Sequence, residues 1–325
     1  MKRWLLSYDD KLPVSNIDPC LFYIFIPSVL IIFVYFHVDN FLVITSSEEW
    51  QQQFFADFNQ TYPCVDEGTL TEILGIRMVF RDTGLLRECR MHQEGFIHRM
   101  LDRYGMAECN PSPTPMEPKL VLTPADPQEP TSGRPYANLA MELMWLARCT
   151  RPDIMTAVCY LARFMHCHTE VHWQHLLRVL RYLKGTVGSL VRLNGSTVMY
   201  SSRLQKTVAL STADAELVAL SETAQDIEHL IHLISEFAPV QLPVVLHGNN
   251  HASVLQAEGA LNNTATRHIT VRDRYVAKLV ELGRVIIAKV PSAQNLANFF
   301  TKSLAANRFH LLRSIVLRYF QGTVG

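Results

Sequence analysis

LFYIFIPSVLIIFVYFHVDNFLVI, residues 21–44, is the most apolar stretch of this chain, and its conformation decides the fold. Two apolar runs rich in β-branched and aromatic residues are split by Pro27-Ser28. A polar His37-Val38-Asp39-Asn40 then precedes a third run. Proline ends a strand or kinks a helix, and Pro-Ser reads well as the break between two strands. The expectation is strands over Leu21–Ile26, Leu30–Tyr35 and Phe41–Thr45, with HVDN as the last turn. The rival is a membrane anchor over Leu21–Phe36, but that segment carries Pro27 and falls short of the roughly 20 residues a span needs. Two carboxylates at the tip of a tight hairpin can hold divalent metal for phosphoryl transfer. Here the second position, Asn40, is neutral.

With 325 residues, 48% hydrophobic and 18% charged, the chain has material for one large or two ordinary cores and is not of the disordered class. Lys+Arg and Asp+Glu balance at 30 each, so any nucleic-acid groove must be local. The 7 cysteines are scattered and lack a CxxC spacing. That excludes a zinc ribbon and points away from a disulfide scaffold, towards a reducing compartment, cytoplasmic or nuclear. No secretory signal is evident in the charged first residues, Lys2, Arg3, Asp9, Asp10 and Lys11. The histidines at 166, 168, 172 and 175 lack the carboxylate or CxxC partner of a metal site.

Residues 1–20 read as mixed and peripheral. Ser46-Ser47-Glu48-Glu49 starts a helix, with serine as cap and acids in the first turn, and Trp50, Phe54, Phe55 and Phe58 give it a buried face. Leu70–Phe80 reads as a strand, turned by Asp82-Thr83-Gly84 into Leu85–Met91. Phe96, Ile97, Met100, Leu101 and Tyr104 stripe a helix that stops at Gly105. Prolines at 111, 113, 115 and 118, and again at 124, 127, 130 and 135, predict an extended linker. Three amphipathic helices follow, over Tyr136–Cys149, Asp153–Met165 and His172–Lys184. Leu190–Tyr200 is short-strand material, and Ala213–Phe237 is a long helix. Strands Val244–His247 and Arg284–Val290 flank a helix over Arg274–Leu282, and Phe309–Tyr319 closes the chain.

Several segments, in order, carry a resemblance. They are Asp18-Pro19-Cys20-Leu21-Phe22, the hairpin Val34–Ile44, Ile73-Leu74-Gly75-Ile76, Thr114-Pro115-Met116, LMWLARCTRPDI at 143–154, and His172-Trp173 with RVLRYLKGT at 178–186. Val208–Leu220, Arg267-His268-Ile269 and ANFFTK at 297–302 complete the set. The chain resembles the C-terminal part of a copia-type retrotransposon Pol polyprotein: the later half of the reverse transcriptase, then RNase H. That implies an α+β fold, with a partial palm over 1–110, a Pro-rich linker over 111–135, a helical connection over 136–200 and a truncated RNase H-like α/β domain over 201–325.

The resemblance also implies the chemistry. Family members polymerise DNA on RNA and cleave RNA–DNA hybrids with Mg²⁺ held by clustered carboxylates. Asp39 and Asn40 stand at the palm hairpin pair, Glu216 at the helix glutamate of RNase H, and Asn249 and Asn298 where that fold has aspartates. Asp39 and Glu216 are the acids left to hold metal. The first RNase H aspartate has no counterpart, because Tyr200-Ser201 runs straight into Ser202-Arg203 where the family has its first strands. With those strands missing, Val244–His247 and Arg284–Val290 are expected to lose their central partner. The expectation is a degenerate chain with both activities lost. The rival class is a non-catalytic module that grips an RNA–DNA hybrid, or a full-length Pol, through Arg178, Arg181 and Lys184, spaced three apart on a helix.

Overall fold

Pro27-Ser28 does break the apolar run. In this computed structural model, which describes residues 2–8, 12–38, 40–82, 87–126, 133–186, 212–248, 271–291 and 294–317, the chain turns back at Ser28 with a left-handed φ of 62°. The elements in chain order are α1 (Lys2–Tyr8), β1 (Leu21–Ile26), β2 (Leu30–His37), β3 (Asn40–Thr45), α2 (Glu48–Thr61), β4 (Glu72–Ile73), β5 (Ile76–Asp82), β6 (Arg87–His92) and α3 (Glu94–Arg103). Then follow α4 (Tyr136–Cys149), α5 (Met155–Leu161), α6 (Glu170–Lys184), α7 (Thr212–Ser235), β7 (Val244–Gly248), α8 (Val271–Glu281), β8 (Val285–Lys289), α9 (Asn298–Thr301) and α10 (Ala306–Leu317). Helix and sheet are mixed, and the chain divides into two units, Met1–Leu70 with Ala209–Pro291 and Thr71–Val208 with Ser292–Gly325.

In the first unit β1, β2 and β3 form an antiparallel sheet in that order, with Leu21 opposite Tyr35 and His37 opposite Asn40. Strand geometry sends alternate residues to opposite faces. Phe22, Ile32 and Val34 are buried on one face, with Leu5, Leu12 and Phe54 from the helical layer. Tyr23, Phe25 and Phe33 lie on the other and meet the ring of Phe237, just after α7, at 6.1, 6.3 and 5.4 Å. Both faces are apolar because both are covered, which is why the sequence shows an unbroken run and no alternation. A membrane helix over Leu21–Phe36 is corrected: the segment is two strands, and no helix among the described residues is long and apolar enough to cross a membrane.

Residues 1–20 are not peripheral. Leu5 is fully buried in α1, and Trp4 stacks on Tyr8 at 4.5 Å and meets Phe54 and Phe58 edge-on at 5.8 and 4.9 Å. A short helix with charged ends hides its anchoring face in a composition average. The start of α2 is as expected: Ser47 Oγ accepts from Trp50 N at 3.2 Å, ahead of Glu48 and Glu49.

The same unit holds α7, α8 and a two-stranded parallel sheet of β7 and β8, with Val244 opposite Val285 and Gly248 opposite Lys289. The two strands are thus each other's partner, joined through a crossover that includes α8. Leu246, Val285 and Ile287 pack with Leu220 and Ala224 of α7 and Val276 of α8. Val245 and Ile286 point away, each 44% exposed. Arg284 clamps Glu228 through two bonds of 2.9 Å, tying β8's entry to α7.

The second unit is mainly helical. Leu139 and Leu143 of α4, Val158 of α5, Leu176 and Leu180 of α6, and Leu312 of α10 share one core. The strand expected over Leu70–Phe80 is instead a hairpin, because Leu74 and Gly75 both take positive φ, 53° and 72°, between β4 and β5. Helix α3 ends as the glycine predicts: Gly105 N donates to Asp102 O at 3.1 Å and Met106 N to Leu101 O at 2.7 Å, the two bonds of a Schellman cap. The turn at residues 83–86 and the strand expected over 190–200 lie outside the described residues.

The proline-rich segment packs as a strap, although nothing in its composition says so. Ser112 N donates to Arg181 O at 3.2 Å, Leu122 N to Tyr160 Oη at 2.7 Å and Ala125 N to Cys167 O at 3.0 Å. Ser112 and Thr114 are buried beneath it.

Candidate functional site

The HVDN turn is the tight hairpin tip that its sequence predicts. His37 and Asn40 face one another at the ends of β2 and β3, and Val38 between them has a φ of 56° and is exposed. Asp39 lies outside the described residues, as does Asn249. Glu216 is on α7, in its first half, and its side chain is outside the described set. Asn298 opens α9 and is 8% exposed. Its backbone N donates to Asn295 O at 3.3 Å and its carbonyl accepts from Lys302 N at 3.2 Å, beside the buried ring of Phe299. It belongs to the second unit.

Two-metal chemistry relies on ligands that carry negative charge, and a neutral amide supplies none. Asn40 and Asn298 therefore do not fit the ion that the chemistry would need. Among the described residues no group of three or more His, Cys, Asp or Glu side chains is arranged to hold a metal.

The three basic residues of α6 are occupied by the strap. Arg181 Nε donates to Asn110 O at 2.7 Å, and Lys184 Nζ donates to the carbonyl of Ala107. Arg178 pairs with Glu117 at 3.0 Å and reaches Thr114 Oγ1 at 3.3 Å. Each cation neutralises or caps a backbone or side-chain acceptor of residues 107–117, which explains their even spacing along one helix face.

The charged cluster that sequence reading missed sits where TRPD meets RYLKGT. Arg151, 1% exposed, grips Asp153, fully buried, through Nε–Oδ1 at 2.9 Å and Nη2–Oδ2 at 2.7 Å. Tyr182 Oη donates to Asp153 Oδ2 at 2.5 Å, and Arg313 Nε reaches the same oxygen at 3.2 Å. Arg151 also donates to Thr186 O at 3.1 Å and Thr186 Oγ1 at 2.6 Å. The two guanidinium groups lie over the Tyr182 ring at 5.5 and 5.8 Å. Burial alone would raise the Asp153 carboxyl, but Arg151, Arg313 and the Tyr182 hydroxyl hold it down at about 2. Burial, and then the Asp153 charge, push the Tyr182 phenol far above its usual range. Both carboxylate oxygens of Asp153 are bonded within the fold, so this is a structural knot joining the α4–α5 corner, α6 and α10. The signal available in the sequence was two opposite charges flanking Pro152 between apolar helices, where burial forces pairing.

The chain is 25% identical over 358 aligned residues to the retrovirus-related Pol polyprotein from transposon TNT 1-94 of Nicotiana tabacum, across 97% of this chain and 27% of that protein. It is 26% identical to the Pol polyproteins from transposons RE1 and RE2 of Arabidopsis thaliana, in each case across 86% of this chain and 21% of the relative. Over most of its length the chain is thus similar to retrovirus-related Pol polyproteins of plant transposons. It spans about a quarter of the length of the curated relatives it matches. No family model matches it, and neither does any solved structure.

Proposed function

We propose that this chain derives from the later reverse transcriptase and the RNase H of a copia-type element and that it carries neither activity. The observation behind this reading is the repeated replacement of a charged ligand: Asn40, Asn249 and Asn298 each stand where the resemblance implies aspartate. All three keep the approximate size of the side chain and remove its charge. Two-metal catalysis works by neutralising charge that develops on phosphoryl oxygens, so each lost carboxylate raises the barrier, and about 1.4 kcal/mol is a factor of ten in rate. On this reading β1–β3 are what remains of a palm hairpin, and α7, β7, α8 and β8 are what remains of an RNase H layer.

The test is an assay of the purified chain with Mg²⁺ on a primed RNA template and on a labelled RNA–DNA hybrid. No extension and no cleavage are expected. Activity that disappears in Asp39→Ala or Glu216→Ala would overturn the proposal. Hybrid binding through Arg178, Arg181 and Lys184 is not the reading the contacts support, since all three are spent on the strap.

A further inference from the structure

Helix α6 opens with an unusual version of a common cap. In a capping box the residue three positions into the helix, generally Glu or Gln, accepts from the backbone N–H of the cap residue. Here the cap is Thr169 and the third residue is His172, whose Nδ1 accepts from Thr169 N at 3.0 Å and lies 2.9 Å from Thr169 Oγ1. An imidazole can accept at Nδ1 only while that nitrogen is unprotonated. His172 is 2% exposed and packed on the ring of Phe164 at 4.4 Å. Its Nε2 is buried without a hydrogen bond of ordinary geometry, although the Thr123 backbone is near enough to favour a charged ring.

The surroundings oppose a positive charge. Burial lowers the His172 pKa most, followed by the neighbouring charges of His168 and His175, with Thr123 acting the other way. His168 is itself stacked on Tyr136 at 4.5 Å, and His175 is lowered by burial and by Arg178 and raised by Glu117. The carboxylates on α6 and the strap are engaged: Glu170 with Arg134 at 3.2 Å and Glu117 with Arg178 at 3.0 Å. The same corner holds the end of the strap, where Ala125 N donates to Cys167 O at 3.0 Å and Leu122 N to Tyr160 Oη at 2.7 Å.

We propose that His172 is an acid-sensitive latch: neutral, it closes the cap of α6; protonated, it withdraws the acceptor from Thr169 and frays the first turn of the helix. On protonation Nδ1 becomes a donor that turns to Thr169 Oγ1, and the Thr169 N–H is left buried without a partner. A group whose folded pKa is depressed contributes stability above its unfolded pKa, near 6.5, and loses it as pH falls below that value. The loss is at most about tenfold per pH unit for one proton.

Hydrogen exchange of the full chain at about pH 7.5 and about pH 5.5, corrected for the intrinsic rate, reads this directly. In the unaltered chain, protection of residues 166–173 is expected to fall about tenfold at the lower pH. In His172→Gln, whose amide oxygen accepts in both conditions, the same protection is expected to hold. An equal fall in His172→Gln, or no fall in the unaltered chain, would overturn the latch. If His172→Gln fails to fold, NMR titration of the His172 ring in the unaltered chain decides. A midpoint below 6.5 that coincides with the exchange change at Thr169 supports the latch, and a midpoint at or above 6.5 refutes it.

Discussion

Replacing Asp153 by Asn should destabilise the second unit severely while leaving its shape almost intact. The substitution removes the anion that faces two guanidinium groups and a phenol at 2.5–3.2 Å. Two routes give the size of the effect. Holding a carboxyl at about 2 against an ordinary 3.8 corresponds to about 2 kcal/mol, at about 1.4 kcal/mol per pH unit. Removing one partner of a buried pair strands the other, here Arg151 at 1% exposure, and that costs about 3–5 kcal/mol. The larger figure governs, because the linkage counts only the proton and not the abandoned guanidinium. Urea unfolding followed by far-ultraviolet circular dichroism measures it. The double variant Arg151→Met with Asp153→Leu should be milder than Asp153→Asn alone, since the fully buried guanidinium of Arg151 goes with the carboxylate. Because the carboxyl is depressed in the folded state, its contribution is complete above about pH 4 and is lost as pH falls towards 2. A loss under about 1 kcal/mol in Asp153→Asn, or a double variant less stable than the single, would refute the view that pairing in the buried knot sets the stability of this unit.

Other expectations are smaller. Leu74→Asn should raise stability by about 0.5–1 kcal/mol in thermal melts, because it puts the favoured Asn-Gly pair where Leu74 now holds a positive φ of 53°. Phe237→Ala should cost about 1–2 kcal/mol and increase exchange in β1 and β2, since its ring meets Tyr23, Phe25 and Phe33; unchanged exchange there would mean that the ring is a bystander. Arg284→Lys should lose most of the Glu228 clamp, about 1 kcal/mol in a denaturant titration, because an ammonium cannot make both 2.9 Å bonds. Arg181→Ala with Lys184→Ala should deprotect residues 107–115 in hydrogen exchange, with little change in α6 itself, if those cations serve the strap.

Local chemistry made much of the fold legible. Ser47 ahead of two glutamates, Gly105 after an apolar stripe, and Pro27-Ser28 inside a run of β-branched residues each fix a boundary through contacts only a few residues long. Leu74-Gly75 was misread for the same reason: a leucine in the left-handed region is locally disfavoured, and only the pairing of β4 with β5 imposes it. The first residues and the proline-rich segment looked idle because their value depends on distant surfaces. Leu5 is buried against the first sheet and Phe54 of α2, and the segment from Ala107 to Ala125 is held by Arg178, Arg181 and Lys184 of α6 and by backbone bonds to the helical core.

The neutrality of Asn40, Asn249 and Asn298 is a fact of the sequence alone, because an absent charge needs no structure to be seen. The fate of the charges that remain was decided only in three dimensions. Asp153 and Arg313 stand 160 residues apart, and nothing short-range distinguishes them from solvated residues. Packing of apolar helix faces carries both out of water, and a buried charge must then find its opposite. The same long-range packing gives three evenly spaced cations of α6 their acceptors in residues 107–117.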